Sequence, residues 1–149
     1  MPSVYTALKA YLKTKAPIVA VLGDASGDGT RIYSVAPRQA PLPFLVLRTF
    51  SGYSDECLDG SAGSKEVRVQ VDAYGADEEE AYDLHERVRR APLQGYRGPM
   101  GGLGCMGVSS DDSERTGVEN PQDATDTTRR WWVSRDYQIA VKEDTAVYV

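Results

Sequence analysis

Apolar and polar positions recur along this chain with two different periods. Val4, Leu8, Tyr11 and Leu12 fall on one helical face; Ser3 stands at the N-cap position and Pro17 marks the end. Residues 3–15 are therefore predicted as an amphipathic helix. The apolar run from Ile18 to Leu22 fits either a further helical turn or a packed loop. Ala81, Leu84, Val88 and Ala91 repeat the helical period over Asp77–Ala91. Asp77 with Glu80 opens that helix as a capping box, and Glu78, Glu79 and Glu80 suit its first turn. Arg87, Arg89 and Arg90 suit its last, and Pro92 stops it.

The second period is two. Val67, Val69, Val71 and Ala73 oppose Arg68, Gln70, Asp72 and Tyr74 across Lys65–Tyr74. Over Arg129–Glu143, Trp131, Val133, Arg135, Tyr137, Ile139 and Val141 oppose Trp132, Ser134, Asp136, Gln138 and Ala140. Both read as half-buried antiparallel strands. Shorter strands are predicted at 31–35, 44–51 and 103–110. Strands 44–51 and 65–74 form an extended hairpin across a Gly-, Ser- and Asp-rich loop at 52–64. The order helix, strands, helix, strands predicts an α+β fold. Its sheet is mostly antiparallel, with two α-helices packed on one face and long polar loops. The 149 residues suit one domain, 1–149.

Charge changes this picture at one place. The chain holds 22 acidic and 17 basic residues, a net charge of −5. That argues against a protein that wraps nucleic acid with clustered Lys and Arg, though not against one that lets DNA slide past. Asp111, Asp112, Glu114, Glu119, Asp123 and Asp126 crowd into residues 109–128 against Arg115 alone, and the rest of the chain is balanced. This segment is predicted as an acidic flexible loop ordered by a partner. The alternatives are a channel lining that repels phosphates, or a solvated loop without a role. Trp131 and Trp132 point to opposite faces of their strand. One belongs to the core; the other lies under a helix or at a protein interface. The six acids and Trp132 are the candidate partner-interface residues.

Chemistry adds little. Cys57 and Cys105 stand apart without a metal-ligand pattern and are expected to be free thiols. Asp24 to Gly29 resembles the start of a calcium loop, but Val35 occupies the position of the bidentate Glu, so a turn-rich loop is expected. His85 is the single histidine, and no GxSxG elbow accompanies it. It reads as a surface or half-buried helix residue. Gly98 to Gly104 lacks the Lys-Ser/Thr of a phosphate loop and reads as flexible. Nothing separates the pKa values of Asp111 and Asp112 for acid–base work. No catalytic residue, cofactor site or metal site is assigned, and the chain is not expected to be an enzyme. It has neither an apolar run of membrane length nor the pattern of a signal peptide, so a soluble protein made in the cytoplasm is expected.

One resemblance runs through nearly the whole chain. It rests on Ala7-Leu8-Lys9-Ala10-Tyr11-Leu12, Arg31-Ile32-Tyr33 and Ala40-Pro41-Leu42-Pro43-Phe44-Leu45-Val46. Leu58-Asp59-Gly60 and Val67-Arg68-Val69-Gln70-Val71-Asp72-Ala73-Tyr74 follow, before the acid-first helix. In this order they resemble the tail completion, or tail terminator, proteins of long-tailed bacteriophages, prophages and gene transfer agents. The resemblance implies a virion protein at the head-proximal end of the tail. Its subunits would form a ring, expected to be a hexamer, that caps the tail tube, ends polymerisation and offers a surface to the head–tail connector. DNA would pass through the lumen without specific binding. A neighbouring connector component of head-closure or minor-tail type is the alternative. A small hydrolase using His85 is a distant one.

Overall fold

Two long antiparallel strands form the spine of the computed structural model, which describes residues 3–23, 30–50, 53–57, 60–110, 114–119 and 129–142. Strand β4 (Gly60–Gly75) and strand β8 (Arg130–Lys142) pair continuously from Ser64↔Lys142 to Gly75↔Trp131. Each carries two short strands, end to end, on its outer side. Beside β4 lie β2 (Phe44–Thr49) and β3 (Tyr53–Cys57); beside β8 lie β6 (Leu103–Ser110) and β7 (Arg115–Glu119). Strand β1 (Ile32–Tyr33) joins β2 in parallel, and β5 (Gly98–Met100) pairs antiparallel with β6. The mostly antiparallel α+β architecture is the one predicted.

Alternation places the core. Val67, Val69, Val71 and Ala73 of β4, with Tyr137, Ile139 and Val141 of β8, are buried on one face beneath the helices. Burying each valine contributes about 1.5–3 kcal/mol. Helix α1 (Val4–Leu12) starts where Ser3 Oγ accepts the Thr6 amide, and it buries Ala7, Leu8, Tyr11 and Leu12. Helix α3 (Glu78–Val88) starts where Asp77 accepts the Glu80 amide at 2.8 Å, and it buries Ala81, Leu84, His85 and Val88. The opposite face holds a second cluster. Phe44, Val46 and Tyr74 pack with half-buried Tyr33, Leu42 and Trp132, and the Phe44 and Tyr74 rings stack at 4.7 Å.

Five expectations need correction. Three helices are present, not two: the run around Ile18 is helix α2 (Ala16–Leu22). Pro17 lies in its first turn, where a missing N–H costs nothing, so it opens a helix as well as following one. Pro92 does not stop α3 abruptly; Arg89–Leu93 continue as a π-helical turn that contains it. Within the expected loop at 52–64, β3 pairs with the first part of β4, from Cys57↔Gly60 to Tyr53↔Glu66. Ladder hydrogen bonds suffice there without an apolar alternation to announce them. Gly98 to Gly104 is a tight hairpin rather than a flexible loop. Gly101 has φ +51°, and a Cβ on it would stand 2.1 Å from the Ala7 carbonyl oxygen, so helix α1 locks this turn. Finally, residues 115–119 of the expected acidic loop form β7. The calcium-like stretch at 24–29 lies outside the described residues.

Candidate functional site

Strand β7 brings together the charged groups that sequence reasoning left scattered. It buries no residue fully, and Val118 is 37% exposed. Its two ends are held by ions. At the far end Glu119 binds the guanidinium of Arg130, which is only 9% exposed. Arg130 also donates to the Pro37 carbonyl and lies over the rings of Phe44 and Tyr74, 5.6 and 5.4 Å from their centroids. One side chain thus ties β7, the segment before β2 and the second cluster together. In the middle of β7, Gly117 lies against the Trp132 ring; a Cβ there would approach it to 2.4 Å.

At the near end Glu114 turns toward the helices. Its Oε1 lies 2.7 Å from Nε2 of His85 and 3.5 Å from Nη2 of Arg135. His85 is 1% exposed, not half-buried as expected, because its flank of α3 faces the sheet where Glu114 arrives. The His85–Glu114 contact has ion-pair length. With Nε of Arg135 and the Tyr137 hydroxyl, Nε2 of His85 belongs to the buried polar atoms without a hydrogen bond among the described residues. Burial lowers the His85 pKa, Glu114 opposes that shift, and Arg135 adds to it. Burial likewise pushes the Tyr137 hydroxyl up to about 12. Glu86 is held down at about 2, first by its hydrogen bonds from Arg89 and then by Arg90.

His85, Glu86 and Glu114 each bring one donor atom within 4.8 Å of the others, a spacing that could hold a metal ion. The surroundings oppose it. Glu86 already accepts from Arg89 at 2.8 Å and Arg90 at 2.7 Å, and Arg135 approaches Glu114. Three guanidiniums outweigh two carboxylates, so a divalent cation would enter a positive environment. Nor does a serine or cysteine hydrogen-bond to His85 among the described residues, as a hydrolytic nucleophile would.

The helix-free face carries a second charged set. Asp136 accepts from Arg68 of β4 and, at 2.8 Å, from Arg115 of β7. Asp72 accepts from Gln70 at 2.9 Å, and Arg48 approaches it at 3.7 Å. The two carboxylates are buried, while the three arginines remain about half exposed. Between α3 and β7 runs a groove of about 840 Å³, lined by Glu78, Glu79, Tyr82, Asp83 and Thr116 among others.

The predicted interface residues separate accordingly. Glu114 and Glu119 fasten the two ends of β7. Trp132 is half-buried on the second cluster. Asp111, Asp112, Asp123 and Asp126 lie outside the described residues, as does the side chain of Cys57; Cys105 is a buried free thiol. Sequence reasoning missed Arg130, Asp72 and Asp136. The available signal was a run of Arg and Asp at alternate positions of paired strands, which permits cross-strand ion pairs.

The family described as tail completion protein gp17 matches the chain over residues 6–101, from α1 to the turn after β5. No curated protein matches it. Among solved structures, a chain of the virion of a native gene transfer agent particle shares the fold with a TM-score of 0.64 at 14% identity. The alignment covers 94% of this chain and 95% of that one. Among the described residues no helix is long and apolar enough to cross a membrane.

Proposed function

This chain belongs to the family of tail completion protein gp17, and on that premise we propose that it is the ring-forming subunit that closes a phage tail. It is a structural protein of a phage-like tail. In our reading, six copies form a ring on the last ring of tube subunits, stop further addition and present the opposite surface to the head–tail connector. DNA passes through the opening, and no catalysis is involved. The observation that carries this reading is the family match across α1 to β5. The fold shared with a virion chain over nearly the full length of both supports it. A ring needs two different mutually complementary surfaces on each subunit. Asp111, Asp112, Asp123 and Asp126 are taken as the acids that meet a partner, since Glu114 and Glu119 are engaged with His85, Arg135 and Arg130.

Electron microscopy of particles from a phage lacking this chain tests the reading. Tails of uncontrolled length, or tails separate from filled heads, are expected. Normal virions from that deletion would overturn it.

A further inference from the structure

Two concave patches lie at opposite ends of β8 and carry opposite charge. The first is the groove between α3 and β7. Asp83 pairs with Arg87 there, and Arg90 with Glu86. Glu78 and Glu79 line the same groove and have no ion pair among the described residues. Tyr82, 47% exposed, is its aromatic surface. The second patch is a cavity of about 590 Å³ beside the β5–β6 hairpin. Arg97 and Lys142 line it, both exposed and without an ion pair among the described residues. Met106, 51% exposed, supplies the apolar part.

The positions matter as much as the charges. Val133, on the first groove, and Lys142, on the second, are nine residues apart on one strand. That is about 30 Å at the rise of an extended strand. Each patch pairs two uncompensated charges with one exposed large apolar side chain, and the signs are opposite. Neither patch can satisfy the other within one subunit.

We propose that the Arg97–Lys142–Met106 patch of one copy docks into the α3–β7 groove of the next, joining copies head to tail. Arg97 and Lys142 face Glu78 and Glu79, and the Met106 thioether packs against the Tyr82 ring, a favourable sulfur–aromatic contact. The contact uses different surfaces on its two sides, so it propagates until the rotation closes a ring. The inference rests on the ring reading above but names the surfaces that make the ring.

A charge swap in the full chain tests it. Self-association is measured by sedimentation and by electron microscopy, in solution and on tail tubes. The one-sided variants E78K/E79K and R97E/K142E are expected to weaken association at least tenfold, because like charges then meet across the contact. The combined variant E78K/E79K/R97E/K142E restores opposite signs and is expected to return within threefold of the wild type. Circular dichroism verifies folding, and E78Q/E79Q with R97Q/K142Q replace any reversal that fails to fold. One-sided variants that assemble like the wild type overturn this contact and leave the ring reading intact. So does a folded combined variant that stays as weak as the one-sided ones. A wild-type chain that remains monomeric both in solution and on tubes overturns both.

Discussion

Strands β6 and β7 lie end to end along the same side of β8, yet different forces hold them. Strand β6 sinks Leu103, Cys105 and Val108 into the main core and is further paired with β5. Strand β7 has no buried side chain; beyond its ladder to β8 it is held by Glu114 near Arg135 at one end, Glu119 on Arg130 at the other and Arg115 on Asp136. Apolar burial is indifferent to salt and to mild changes of pH. Ionic attachment is sensitive to both. One edge of a single sheet therefore combines a permanent part with a part whose hold depends on solution conditions.

The largest expected effect lies on the permanent side. Leu103→Ala should cost about 2–5 kcal/mol by leaving a cavity, with the loss unchanged by salt in chemical denaturation. Next, Arg130→Ala should cost about 1–3 kcal/mol, since it removes the buried guanidinium that bonds both Glu119 and the Pro37 carbonyl. Hydrogen exchange should then speed up at residues 115–119 more than at 103–110. Equal acceleration of both strands would erase the distinction drawn between them.

Acid should act next in size. The folded His85 pKa lies below its ordinary 6.5. The unfolded chain therefore binds the proton first, and stability falls as pH drops below 6.5 toward the folded value. The groups facing His85 are Glu114, Glu86 and Arg135. Melting curves of His85→Gln should be flatter over that window than those of the wild type. The smallest effect is salt alone. Moving from low salt to ~0.5 M shortens the Debye length to about 4 Å, and exchange in β7 should rise modestly while β6 stays unchanged.

Legibility from sequence follows the same division. The long strands and α3 announced themselves because Val67, Val69, Val71 and Ala73, and then Ala81, Leu84 and Val88, repeat at the period of their element. Strand β7 did not, since Arg-Thr-Gly-Val-Glu presents only Val118 as an apolar side chain and owes its place to partners far along the chain. His85 looked peripheral for the same reason: Glu114 lies 29 positions away, and only the fold brings the two together. Nothing in the sequence singled out Arg130. Its buried position comes from stacked Phe44 and Tyr74, a pairing set by the β2–β4 register. Acid content did mark residues 109–128 as unusual, but composition could not say that Glu114 and Glu119 pair with Arg135 and Arg130.

The place of β8 has a consequence for biosynthesis. It follows every other described strand in the chain, yet it sits in the middle of the sheet, between β4 and the β6–β7 pair. While the ribosome is still making residues before 130, β4 lacks one neighbour along its length, and β6 and β7 have nothing to join them to it. Such non-local closure is slow to nucleate. The α3–β7 groove and the cavity beside the β5–β6 hairpin, both lined in part by β8, therefore cannot take final form until β8 has emerged and paired. Synthesis of β8 is the step on which closure of the sheet waits.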